Sequence, residues 1–187
     1  MFTRRTALHA IPVATLAGQL SPEGRSRWSP DWDRALIDAA LAQQDESFDA
    51  KEAMLTRRVG PEYNYHSLIR NQVAHPTVPS LHYALLLLEA GGKARLARAQ
   101  QVIDRVLSLQ DTDPSSKWYG IWGYYLEEPP PKMSPADWNW ADFNGATLLL
   151  IAYRHGAKLR PALAARLREG IHYAAQSVKR RNVSMGY

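Results

Sequence analysis

Cysteine is absent from the 187 residues, which removes any disulfide framework or thiolate metal site and is neutral on whether the compartment is oxidising. No HExxH occurs, and His66, His75 and His82 are not spaced as i, i+4 pairs beside an acid, so the sequence gives no metal site and no cofactor is expected. Phosphate-cradling glycine loops and a nucleophile elbow are missing too. No segment approaches the length of a permanent membrane anchor. Positive charge is in only slight excess: without Arg4 and Arg5, the 23 Lys and Arg fall to 21 against 18 acids, too few to indicate a nucleic-acid partner.

What is present fits one ordinary domain, since a hydrophobic share of 45% and a charged share of 22% are globular values. The start, MFTRRTALHAIPVATLAGQL, places two arginines before a short apolar run from Ala7 to Ala17 and small residues at Thr15 and Ala17. Residues 1–20 are therefore expected to be a twin-arginine-type export signal, with a periplasmic or secreted destination. Residues 21–187 remain as the helical domain.

Five helices follow from periodicity and caps. Ser29-Pro30-Asp31 opens the first, with Trp32, Leu36, Ala39, Ala40 and Phe48 on its expected inward face. The second, about 78–90, is apolar all round and stops at Gly91-Gly92. A third, about 93–110, is amphipathic, with Leu96, Ala99, Ile103, Val106 and Leu107 inward. The fourth follows Ser134-Pro135 and runs through ATLLLIAYRH to Gly156, again apolar all round. Pro161 opens the fifth, whose apolar stripe is Leu163, Leu167, Ile171, Ala174 and Val178; its Lys179-Arg180-Arg181 end reads as a solvated helix terminus.

The order is outer, inner, outer, inner, outer. Inner-to-outer connections are short, whereas those at 57–77 and 110–136 are long, and antiparallel pairing puts both long links at the N-terminal end of the inner helices. A spacing of roughly 60 residues between inner helices predicts an all-α fold of stacked helical hairpins, a solenoid or a closed toroid. A complete toroid of six hairpins would need about twice this length, so the chain is expected to be an N-terminal portion.

The long links share a vocabulary. Tyr63, Asn64, Tyr65 and His66 lie in one, with His75 beyond. The other carries Asp111 and Asp113, then KWYGIWGYYLEEPPP with Trp118, Tyr119, Trp122, Tyr124, Tyr125, Glu127 and Glu128, and finally Asp137, Trp138, Trp140 and Asp142. Flat rings beside carboxylates and amides on one face fit a sugar, whose C–H faces stack and whose hydroxyls need polar partners. An oligo- or polysaccharide is the expected partner.

Helices of this alternating character, with links such as WYGIWGYYLEEP and DWNWADF, resemble the (α/α) toroid of six-hairpin glycosidases and related polysaccharide lyases. The resemblance covers about residues 29–187, is architectural, and carries no catalytic residue across. It implies glycoside hydrolysis first.

Hydrolysis needs two carboxyl groups flanking the glycosidic bond, for which Glu127, Glu128, Asp137 and Asp142 are the candidates. Adjacent glutamates in an extended segment point to opposite sides, so at most one of Glu127 and Glu128 faces a cleft. Asp137 could instead favour a helix terminus, and Asp111-Thr112-Asp113-Pro114 is also a good turn. Elimination from a uronic-acid polymer would use Tyr65 or His66 as base. A non-catalytic sugar-binding or helical-repeat interaction module needs only the rings, which could alternatively seal the gap between hairpins.

Overall fold

The computed structural model describes residues 30–62 and 66–181. The expected export signal, Tyr63, Asn64, Tyr65 and the stretch from Asn182 lie outside the described residues. Helix α1 (Pro30–Asp45) starts at a proline, whose missing N–H costs nothing at a first helical position. From Leu36 onward the chain forms one compact unit. Within it Leu41 is buried and Ile37 packs beside it, while Leu36 is half-exposed, so the inward face is turned by about one residue from the expected one. Phe48 does not belong to that face because the helix ends at Asp45, which accepts hydrogen bonds from Tyr83 and Arg98.

Four short strands follow where helix or loop was expected. β1 (Phe48–Asp49) pairs antiparallel with β2 (Met54–Leu55), and β3 (Arg57–Val59) pairs with β4 (Gln72–Ala74). The all-α expectation is thus corrected to a mostly helical fold with two small antiparallel sheets. Met54 and Leu55 are buried, and the Leu55 N–H donates to Ser80 Oγ at 3.0 Å, so this link contributes core as well as loop.

Helices α2 (Thr77–Ala90) and α3 (Lys93–Leu107) form one hairpin. Its turn is Gly91-Gly92, both at positive φ, where a Cβ would be strained. Helices α4 (Trp140–His155) and α5 (Pro161–Arg181) form the second, through a 3₁₀ turn at Gly156–Lys158. α2 packs on α4 and α3 on α5, so the hairpins stack inner on inner and outer on outer. The shared core includes Leu81, Leu87, Ile103, Trp122, Leu148, Ile151 and Leu167.

Coverage of the inner helices differs. α2 buries residues around its circumference, as an all-round apolar helix must. α4 does not: Leu149 is 56% and Tyr153 88% exposed, with Phe143 and Leu150 also at the surface, which corrects the expectation of a helix covered on every side.

Candidate functional site

The two long links interlock at the head of α2. The Thr77 N–H, unsatisfied within a helix's first turn, donates to the Tyr124 carbonyl at 3.0 Å, and Thr77 Oγ1 donates to the Gly123 carbonyl at 2.9 Å. The Leu126 N–H donates to the His75 carbonyl at 3.0 Å. Trp140, the first residue of α4, donates its indole N–H to Thr77 Oγ1 at 3.1 Å. Segments 46 to 63 residues apart are thus sewn together where both inner helices begin. Tyr124 stacks on Trp140 with ring centroids 3.6 Å apart, and His66 lies 5.9 Å from the Tyr124 ring.

One buried carboxylate, Asp137, touches that stack through Tyr124, and a second, Glu128, reaches the link that carries His66. Glu128 is only 3% exposed. One of its oxygens accepts the Leu68 N–H at 2.6 Å, while Oε2 is buried with no hydrogen-bond partner. Such an oxygen is costly and rare, and calls for an explanation. Asp137, 6% exposed, accepts from the Tyr124 hydroxyl at 2.7 Å and from the Asn139 N–H at 3.0 Å. Its Oδ2 lies 3.7 Å from His66 Nε2, and His66 Nδ1 sits 2.8 Å from the Pro135 carbonyl. A carbonyl only accepts, so Nδ1 carries the proton there. Glu128 and Asp137 meet link residues two positions apart, Leu68 and His66.

Glu127 points the other way, as alternation in an extended segment requires. It is exposed, and its carboxylate holds His75 by two contacts, Oε1 to Nδ1 at 2.5 Å and Oε2 to the backbone N–H at 3.1 Å. The other ring nitrogen of His75 lies 3.1 Å from Asp49 Oδ2. Burial is the largest single influence on His75 and pulls its pKa down, but the hydrogen bonds and charges of Glu127 and Asp49 together outweigh it, leaving a value above the ordinary 6.5. Asp49 moves below its ordinary 3.8, chiefly through the Lys51 N–H and then through His75.

The signs fix a pH window. A raised histidine stabilises the fold fully below pH 6.5, and that contribution is lost as pH rises through its folded value. A depressed aspartate contributes above pH 3.8 and is lost as pH falls through its folded value. The Tm of the wild-type chain is therefore expected to decline on the alkaline side of pH 6.5 more steeply than that of His75→Gln. Thermal melts from pH 5 to 9 check this, and parallel curves would contradict it.

The aromatic run divides by burial. Trp122 is fully buried in the core and donates its indole N–H to the Val106 carbonyl at 2.8 Å, so it offers no face to a ligand and is corrected to a core residue. Tyr119 and Tyr125 are buried as well, Tyr125 within a small cluster with Val59, Ile69 and Ala74. Tyr124, Trp118, Trp138 and Trp140 are half-buried, with Lys117 4.4 Å from the Trp118 ring and Arg181 3.6 Å from that of Trp138. Asp142 is not brought to Glu128: it lines a groove between α4 and α5 beside Gly145 and Leu149. Asp111 and Asp113 hold a turn, accepting from Asp113 N–H, Ser116, and both donors of Ser115.

Sequence reasoning missed the Leu68 N–H that holds Glu128 and the Asn139 N–H that holds Asp137, because backbone donors leave no side-chain signature. It also missed a basic groove of about 280 Å³ where Lys117 meets Arg180 and Arg181; basic and aromatic residues adjoin at 117–119, but their partners lie some 60 residues on. Among the described residues, no group of three or more His, Asp or Glu is placed to hold a metal ion, and no helix is long and apolar enough to cross a membrane.

A protein-family model described as "Domain of unknown function (DUF8769)" matches residues 34–186. No curated protein and no solved structure matches the chain.

Proposed function

This chain belongs to the DUF8769 family, and we propose that it is a carbohydrate-active protein of glycoside-hydrolase type, built as part of an (α/α) toroid and acting in the periplasm or outside the cell. The carrying observation is the buried Glu128 carboxyl, one oxygen unpartnered and the other accepting the Leu68 N–H, two residues from the His66 that meets Asp137 and the Tyr124 ring. Hydrolysis of a glycosidic bond needs one carboxyl group to protonate the leaving oxygen and a second to attack the anomeric carbon or deprotonate water. Glu128 is the proton donor in this reading. Asp137, which receives hydrogen bonds from Tyr124 and the Asn139 N–H, is the base or nucleophile. The Tyr124–Trp140 pair supplies the stacking platform.

The uncovered apolar flank of α4 supports the toroid portion of the reading, because in a closed ring each inner helix has neighbours on both sides. The pairing of His66 with Asp137 favours elimination as the second reading, with His66 taking the C5 proton of a uronic acid. Reducing-end release from a panel of neutral and acidic oligosaccharides tests the first reading, and absorbance near 235 nm, which only an unsaturated product gives, tests the second. Glycan-array retention without either product leaves a binding module. If no product forms and no glycan is retained, the carbohydrate reading is ruled out.

A further inference from the structure

Five arginines of the compact unit, Arg95, Arg98, Arg105, Arg154 and Arg166, each pair with a carboxylate. Arg180 and Arg181 do not, nor does Lys117, among the described residues. These three cations line one groove of about 280 Å³ with Ser116, Tyr119 and Trp138. It lies where the C-terminal end of α5 meets the second long link. Gly120 makes that approach possible: at φ +85°, a Cβ there would sit 2.2 Å from the Tyr173 carbonyl of α5.

The guanidinium groups are held in place before any ligand arrives. Arg180 lies over the Tyr119 ring at 4.6 Å and donates to the Pro114 carbonyl at 3.3 Å. Arg181 lies over Trp138 at 3.6 Å and donates to the Lys117 carbonyl at 3.2 Å. Each bond uses one of five N–H donors, so a stacked, anchored fork keeps donors to spare. The nearest acids in sequence, Asp111 and Asp113, are committed to Ser116, Ser115 and the turn backbone. A helix C-terminus favours cations, which accounts for Arg180 and Arg181. It does not account for Lys117, contributed by a different element.

We propose that this groove is a binding site for a small oxyanion, a carboxylate or sulfate group, carried by a single sugar residue. The choice of a sugar as carrier rests on the carbohydrate reading; the oxyanion chemistry rests on the three cations alone. A volume of about 280 Å³ suits one monosaccharide rather than a polymer segment.

Calorimetric titration of the full chain with sodium sulfate, glucuronate and glucose tests the proposal. Glucuronate and sulfate are expected to bind, and glucose not to. Lys117→Gln and Arg181→Gln should each weaken both anions about tenfold or more, the loss expected for a charge-assisted hydrogen bond. Lys117→Gln keeps the carbonyl that Arg181 uses, so it removes charge without loosening the loop. Sulfate binding alone, with the same dependence on Lys117 and Arg181, upholds the oxyanion site and removes the sugar carrier. Absence of binding by both anions, or unchanged affinity in both variants, overturns the site. Because that result would leave cleavage of neutral glycans untouched, it is distinguishable from failure of the hydrolase reading.

Discussion

Glu128→Gln is expected to reduce glycan cleavage by about 10²- to 10⁴-fold, the usual contribution of a positioned acid or base, with the fold intact. Gln keeps the volume, and its amide oxygen can still accept the Leu68 N–H that Oε1 now accepts at 2.6 Å. What is lost is a transferable proton at the position of Oε2, which already lacks a partner. The substitution exchanges one unpartnered polar atom for another, so stability should change by no more than about 1 kcal/mol. Glu127→Gln is the internal control. That residue is exposed and committed to His75, so its loss should alter the pH dependence of the Tm and leave turnover largely unchanged. Measuring kcat/KM and the Tm of both variants separates the two roles. If Glu127→Gln is the inactive one, the assignment is reversed.

Adjacent glutamates with opposite fates show how far a sequence can be read. Their alternation is local and follows from extended backbone, so it was legible. The helices were legible for the same reason: caps and periodicity act within a turn or two, and Gly91-Gly92 and Pro161 stand where α2 ends and α5 begins. α4 starts later than the Ser134-Pro135 signal implied, at Trp140, because the Asp137 carboxylate takes the Asn139 N–H and holds a turn ahead of the helix. Strands of two and three residues are too short to show alternation, which is why the sheets went unseen. Which face of α1 turns inward depended on where that helix stopped.

The gathering of the links was legible only as a consequence of topology. Long connections at the same end of antiparallel hairpins must meet, but nothing in the sequence said that Glu128 would reach Leu68 or that His66 would reach Pro135. Those pairings join a side chain to a backbone atom 60 or more residues away. The same reasoning explains the groove of Lys117, Arg180 and Arg181. Its basic residues read as a helix end until α5 was seen to stop against the second link.

Trp122 carries the second large expectation, because composition alone could not tell a ring that binds sugar from one that fills the core. Trp122→Ala should cost about 3–5 kcal/mol, the range for removing a buried tryptophan. The side chain is fully enclosed, and its indole N–H satisfies the Val106 carbonyl at 2.8 Å. Alanine would leave a cavity among the helices, although the Val106 carbonyl would keep the Leu109 N–H at 3.0 Å. Against a total stability of about 5–15 kcal/mol, a loss of that size moves the denaturant midpoint far down or prevents folding. Trp118→Ala, by contrast, removes a half-buried ring that lies against the edge of the core and the Lys117 ammonium, and should cost less, about 1–2 kcal/mol. Urea titrations of the two variants give the comparison directly. Equal midpoints would mean that Trp122 is not in the core, and the packing of the second link between α3 and α5 would have to be redrawn. A large drop for Trp122 alone shows that the aromatic run is divided along its length: Trp122 closes the core, and Trp118 lies at its edge.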